Sequence, residues 1–366
     1  MTALLAVTGL WALGFVFLGR LPVCRRTPAA SPRFTLSVIV PARDEEDNLP
    51  VLLGSLTGQN PPPDEIIVVD DASQDRTAAV AQAGGARVVK APPLPAGWRG
   101  KTWACHQGAR EALGSVLLFV DADTRIEPGA LSAIRETYAR RPGVLSIGPY
   151  HAVSKLHEQA SAYFNLLMTA GTGAFTLFGG HLQPRGLFGP FLMVDRLAYF
   201  KIGGHEAVKG RILEHFFMAP LFARAGVPMQ CCGGRGAVSM RMYPHSLGEL
   251  AAGWSKAFTT GAAQTPRVLL LAVSAWLAGS LAAVGLLVGA VVRAGDPVLW
   301  LAVYGLYVLQ IHWMLARIGS FRWFVAPCFP VPLLFYLIVF LRALVRGGMK
   351  KNVSWKGRRI DLAEEG

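Results

Sequence analysis

Residues 2–19 carry no charged side chain and are followed at once by Arg20, with Arg25 and Arg26 close behind. A secretory leader would carry its positive charge before the apolar run; here it follows, so the pattern predicts an N-terminal transmembrane anchor over residues 1–20. The run is slightly short of the ~20 residues that a perpendicular helix needs. Its N-terminus is expected outside and the rest of the chain inside.

The pattern then changes. Short β-rich runs at 36–40, 65–70, 86–89 and 115–120 alternate with helix-length stretches whose starts are marked by residues such as Asp75 and Pro128. Buried parallel strands interleaved with helices predict an α/β, doubly wound sheet. Ligands of such sheets bind where the carboxyl ends of the strands open. Residues 156–178 are aromatic, Gly-rich and apolar; an amphipathic segment in the membrane surface and a buried core helix both fit them. Beyond Pro266, the runs 268–292, 298–316 and 324–345 are each long enough to cross a bilayer. The last contains Pro327, Pro330 and Pro332, so it either spans or re-enters. The resulting organisation is an anchor, a cytoplasmic domain at 34–258 with interfacial segments, a membrane region of two or three helices at 267–346, and a basic cytoplasmic tail at 347–366.

Composition supports a soluble domain bracketed by membrane segments. The 366 residues are 52% hydrophobic and 16% charged, and the net charge of +13 comes from 36 Lys+Arg against 23 Asp+Glu. Many of these cations flank the apolar runs, as at Arg342, Arg346, Lys350 and Lys351, which is the signature of cytoplasmic flanks beside anionic lipid. Three crossings after a cytoplasmic domain would put that basic tail outside, so the number of spans and the charge rule conflict. No zinc-finger spacing or RNA-recognition pattern is present, which disfavours nucleic acid as a partner. The five cysteines, Cys24, Cys105, Cys231, Cys232 and Cys328, form no C-x-x-C pair and read as small buried hydrophobes.

Four polar patches follow the strands: Pro41-Ala-Arg-Asp-Glu-Glu46, Asp70-Asp-Ala-Ser-Gln-Asp-Arg-Thr77, Gly97-Trp-Arg-Gly-Lys-Thr-Trp-Ala104 and Asp121-Ala-Asp123. Asp121 and Asp123, one residue apart after a hydrophobic strand, suit a single hard cation, Mg2+ or Mn2+, that also binds diphosphate oxygens. An Asx-turn is the alternative. Asp70 and Asp71 can accept hydrogen bonds from a base and a ribose, while Ser73, Asp75 and Thr77 suit helix capping. Asp44 and Glu45 either face a nucleoside or start the next helix. Lys101 and Arg99 are natural partners for a diphosphate or nucleobase.

Taken together, these motifs in this order resemble the family 2 glycosyltransferases, over residues 34–258. The resemblance implies a GT-A type nucleotide-sugar-binding domain and an inverting transfer. It implies nucleoside and sugar contacts among Pro41, Ala42, Asp44, Glu45, Asp70, Asp71, Lys101 and Asp121, and metal at Asp123 with Asp121. The family's base is the Asp of a Glu-Asp pair that follows Gly-Gly. Here Gly203-Gly204 is followed by Leu213-Glu-His215, so Glu214 is the preferred base and His215 the second. Glu214 as a simple helix cap is the alternative. Of the family's Gln-x-x-Arg-Trp acceptor motif only Trp254 remains, with Lys256 beside it on an expected interfacial helix.

Met240-Arg-Met-Tyr243, Gly253-Trp-Ser-Lys-Ala-Phe258, Trp355-Lys-Gly-Arg358 and Gly203-Gly-His-Glu206 are similar to the 4,4'-diaponeurosporenoate glycosyltransferases of carotenoid biosynthesis. That likeness implies UDP-glucose as donor and a carotenoid carboxylate as acceptor. A different lipid acceptor (polyprenyl phosphate, ceramide or hopanoid) and a non-catalytic membrane scaffold remain as alternatives. The clustered acidic residues argue against the scaffold, which has no need of them.

Overall fold

A computed structural model describes residues 1–25, 34–179, 183–211, 213–347, 352–355 and 358–361, without the side chains of 256–264 and 346–366. The chain divides into two compact units. One comprises residues 22–151, 183–242 and 346–366 and is built on a sheet. The other comprises residues 1–21, 152–182 and 243–345 and is helical.

The four runs expected as strands form β1 (Leu36–Ala42), β2 (Glu65–Asp70), β3 (Arg87–Lys90) and β4 (Val116–Val120). Both faces of β1 and β4 are covered, which is why they read as continuous apolar runs rather than as alternating ones. Further along lie β5 (Thr124–Ile126), β6 (Val144–Gly148), β7 (Tyr150–His151), β8 (Phe191–Asp195), β9 (Met229–Gly233) and β10 (Val238–Met240). The main sheet has the order β3-β2-β1-β4-β8-β6-β9. Its first four strands are mutually parallel, but β8 runs antiparallel to both β4 and β6. The sheet is therefore mixed, and the doubly wound half is confined to β1–β4.

From β1 the chain moves outward through β2 to β3, then returns to place β4 on the other side of β1. Strand order reverses between β1 and β4, and the loops at that reversal hold the acidic patches. The core beneath them packs Leu36, Val38 and Val40 of β1 against Leu49, Leu52, Leu53 and Leu56 of the helix Leu49–Thr57. Each such side chain contributes about 1.5–3 kcal/mol on burial.

In the helical unit, Arg267–Val292 and Val298–Ile318 are the described helices long and apolar enough to cross a membrane. The expected third span is broken: a 3-10 turn at Trp323–Val325 precedes the helix Pro330–Gly347. Pro330 and Pro332 stand in that helix's first turn, where a missing N–H leaves no bond unmade. The N-terminal helix Thr2–Leu18 packs within the same unit. Trp11 Nε1 donates to Leu306 O at 2.9 Å, and Tyr307 Oη to Val7 O at 3.0 Å. Gln310 Nε2 donates to Trp11 O at 2.9 Å and its Oε1 accepts from Trp276 Nε1 at 2.7 Å. These buried polar groups are thus paired between helices.

Of the two readings of residues 156–178, the structure bears out the buried helix. The segment 156–178 contains the helix Ala162–Gly171, which is buried around nearly its whole circumference and so lacks the polar face of a surface-lying helix. In the tail, Asn352–Trp355 and Arg358–Asp361 pair as an antiparallel ribbon.

Candidate active site

The loops after β1 and β2 are laced together. Asp44 N donates to Ser73 Oγ at 3.1 Å and Asp44 Oδ1 accepts from Gln74 N at 2.7 Å. Glu45 N donates to Thr77 Oγ1 at 2.8 Å and Glu46 N to Asp75 Oδ2 at 3.1 Å. Ser73, Asp75 and Thr77 are structural, as their residue types suggest, but they tie one loop to the other rather than cap a helix alone. Asp70 Oδ1 accepts from Ser73 N at 3.0 Å, and Arg43 Nη1 donates to Asp71 O at 2.8 Å. Asp71 N in turn donates to Ala42 O at 2.8 Å. Ala42, Asp44, Asp70 and Asp71 therefore share one patch at the carboxyl ends of β1 and β2. Asp44 and Ala72 hold φ of 52° and 56°, left-handed values that cost energy in residues with a Cβ and that mark functional loops.

Lys101 is the centre of the charged site. It lies in the first turn of the helix Gly100–Glu111, which sits close on the sheet because a Cβ at Gly108 would come within 2.4 Å of Ile39 Cγ2. Lys101 Nζ is 2.7 Å from Asp121 Oδ1, 3.0 Å from Asp121 Oδ2 and 3.3 Å from Glu214 Oε1. Burial opposes the ammonium charge, but Asp121 and Glu214 outweigh it and raise the Lys101 pKa. Burial also opposes ionisation of Glu214, yet Lys101, followed by His215, holds its carboxyl well below the usual range. Glu214 opens the helix Glu214–Arg224 directly after Leu213, whose φ is 56°. A carboxylate at that N-terminus also faces the positive end of the helix dipole. His215 Nδ1 is 3.9 Å from Glu214 Oε1 and makes no hydrogen bond among the described residues; it rests against Gly189, where a Cβ would come within 2.6 Å. Pro41, Lys101, Asp121, Glu214 and His215 line a single small pocket.

The carboxylates suit a hard cation unequally. Asp121 is paired with Lys101 at 2.7 Å. Asp123 forms no ion pair among the described residues, and burial, then the Asp121 and Glu45 charges, push its carboxyl up to about 7. That shortage of positive charge fits a divalent cation beside Asp123. No three His, Cys, Asp or Glu side chains among the described residues gather round one point. Such a cation would take its other ligands from a diphosphate and water, as Mg2+ and Mn2+ do.

Several expectations move. Arg99 is occupied with the neighbouring loop: its Nε donates to Gly210 O at 2.9 Å and its N to Lys209 O at 2.9 Å. Trp254, expected at the acceptor or interface, is 3% exposed and stacks on Phe164 at 5.3 Å inside the helical unit. The side chain of Lys256 lies outside the described residues. Residue type alone assigned nothing to Arg43 or to His205, which also lines the pocket. The signal for His205 was its place directly after Gly203-Gly204.

The sequence profile described as "Glycosyl transferase family 2" matches residues 37–190. The chain is 32% identical over 335 residues, 90% of its own length and 89% of the relative's, to 4,4'-diaponeurosporenoate glycosyltransferase of Staphylococcus aureus strain MRSA252. The same identity and coverage are found with the protein of that name from strain NCTC 8325 / PS 47. Among solved structures, a mannosyltransferase from Pyrobaculum calidifontis in complex with GDP-Man and Mn2+ is similar in fold, with a TM-score of 0.55 and 18% identity. That match covers 93% of this chain and 98% of the other.

Proposed function

Because this chain belongs to the family 2 glycosyltransferases, we propose that it moves glucose from UDP-glucose onto the carboxylate of a carotenoid acid at the cytoplasmic face of the cell membrane. The observation that carries the acceptor class is the state of Glu214. It stands where the family's base is expected, but Lys101 at 3.3 Å holds it as a low-pKa carboxylate. A base tuned well below the working pH deprotonates a sugar or lipid hydroxyl poorly. An acceptor that arrives ionised needs no such step. The acceptor oxygen forms the new bond to the anomeric carbon from the face opposite the diphosphate, and the bond to the diphosphate oxygen breaks as UDP leaves. The relatives that share 32% identity and bear the name of a carotenoid-acid glycosyltransferase support the same acceptor class.

In this reading Ala42, Asp44, Glu45, Asp70 and Asp71 receive the nucleoside, and Lys101 with Asp121 and Pro41 borders the diphosphate and sugar. Glu214 orients acceptor and sugar, with His215 behind it. A Mg2+ or Mn2+ ion held by Asp123, with Asp121 beside it, would neutralise charge on the leaving diphosphate. Residues 1–20 anchor the chain, and Arg267–Val292 and Val298–Ile318 cross the membrane. Two crossings return the chain to the cytoplasmic side, where Arg342, Arg346 and the other tail cations belong. Pro330–Gly347 then lies at that face without crossing, which removes the conflict between span count and charge.

The test is product chemistry. Purified enzyme in vesicles containing a carotenoid acid is given radiolabelled UDP-glucose and Mn2+. A sugar ester, released by mild alkali, is expected in the lipid fraction. An alkali-stable glycoside as the sole product would mean a hydroxyl acceptor and would overturn the carboxylate assignment.

A further inference from the structure

Tyr199 and His205 form a closed pair beside the charged site. Tyr199 Oη lies 2.9 Å from His205 Nδ1 and accepts the backbone N–H of His205 at 3.0 Å. Phe119 covers both rings, 5.2 Å from Tyr199 and 4.8 Å from His205. The Gly-Gly turn makes this possible. Gly203 and Gly204 have φ of 83° and 53°, and a Cβ on Gly204 would come within 2.5 Å of the Tyr199 ring. Only a chain without side chains at that turn lets the phenol reach back under the imidazole.

A hydrogen-bond inventory of this pair decides the tautomer. A phenol has one proton to donate. The Tyr199 oxygen already accepts the His205 amide, and among the described residues its own proton has His205 Nδ1 as its acceptor. Nδ1 therefore presents a lone pair, and the ring proton sits on Nε2. The Nδ1 edge faces Tyr199, and His205 lines the pocket together with Lys101, Asp121 and Glu214. Burial pushes the imidazole down to about 4 and pushes the Tyr199 phenol up, so both groups stay neutral.

We propose that His205 is an acceptor-binding residue whose Nε2–H is a fixed, neutral hydrogen-bond donor to an oxygen of the bound acceptor, with Tyr199 as the residue that locks its tautomer. This rests on the reading that Glu214, which lines the same pocket, orients the acceptor. With its proton on Nε2 and its Nδ1 occupied, the ring orients an oxygen and does not remove a proton from it. Lys101 supplies charge in the pocket and His205 supplies direction.

Histidine-15N-labelled protein gives the first measurement, with His205 identified by the signal lost in His205→Gln. The long-range 1H–15N spectrum is expected to show the Nε2–H tautomer in the wild type and a loss of that single state in Tyr199→Phe. An Nδ1–H form in the wild type would overturn the proposal. The second measurement is kinetic. His205→Phe is expected to raise the acceptor KM roughly 10- to 100-fold, the cost of one hydrogen bond to a charged group. The sugar-nucleotide KM should stay put, and His205→Gln, whose amide N–H reaches the Nε2 position, should recover most of the loss. A shift in sugar-nucleotide KM instead, or equal constants for Gln and Phe, would refute it. Should His205→Phe fail to fold, His205→Asn, whose amide reaches the Nδ1 position, replaces it in the comparison with Gln. UDP affinity by calorimetry checks folding of each variant. If the wild type turns over no carotenoid acid, the acceptor reading fails, while the tautomer and the KM for whichever acceptor is used still judge His205.

Discussion

Replacing Lys101 by Met keeps most of the side-chain stem but removes the cation shared by Asp121 at 2.7 Å and Glu214 at 3.3 Å. Removing one partner of a fully buried ion pair costs about 3–5 kcal/mol. The Lys101 and Asp121 side chains are 27% and 26% exposed and that of Glu214 is 9% exposed, so solvent screening reduces this to about 2–3 kcal/mol. For a unit of this size the deficit corresponds to a melting temperature lower by about 5–10 °C at pH 8. The pH dependence has a definite sign. Without Lys101 the folded-state pKa values of Asp121 and Glu214 both rise, while their unfolded values do not change. The penalty is then complete above the raised values and fades as pH falls and the carboxyls take up protons. Thermal unfolding of wild type and Lys101→Met in detergent with EDTA, at pH 5 and pH 8, reads this directly. The deficit at pH 5 is expected to be less than about half of that at pH 8. Lys101→Arg should recover most of the stability. An equal deficit at both pH values, or none at pH 8, would refute the pairing.

Asp123→Asn should abolish Mn2+-stimulated transfer. Because burial and its neighbours raise the Asp123 pKa to about 7 from 3.8, the metal-free protein loses stability as pH rises through that value. The Asn variant should therefore melt higher than wild type at pH 8 in EDTA, and full transfer by EDTA-treated enzyme would sink the metal assignment. Glu214→Gln should cost less than about 10-fold in kcat on a carotenoid acid, and the wild-type pH–rate profile should show no Glu214 ionisation between pH 6 and 8, since Glu214 is a low-pKa carboxylate. A loss of about 10²- to 10⁴-fold would instead mark a working base. Deleting Met1–Arg20 should leave the protein in the membrane fraction, because Arg267–Val292 and Val298–Ile318 remain. It should melt lower, because Gln310 Nε2 and Trp276 lose the structure built on Trp11 O; recovery in the soluble fraction would show the membrane segments misassigned.

Much of this protein is determined by short-range pattern. The boundaries of β2 and β4 follow from apolar runs that are buried on both faces, and Asp121 and Asp123 are conspicuous because they end such a run. The apolar lengths of Arg267–Val292 and Val298–Ile318 likewise announce themselves. Pairing across the fold is a different matter. That Lys101 meets both Asp121 and Glu214 depends on the close seating of its helix at Gly108, a contact between residues 69 positions apart (Ile39 to Gly108) that no local window contains. The antiparallel β8 reads locally like any buried strand, since direction is set only by the partner it meets. Trp254 matches an acceptor motif in sequence, yet its burial against Phe164 is decided by packing within the helical unit. His205 is the clearest case. Its neighbours along the chain show a Gly-Gly turn, but its proton is placed by a tyrosine hydroxyl and by burial. Both arise only when the turn folds back, because hydrogen-bond direction and desolvation belong to the assembled site and not to the residue.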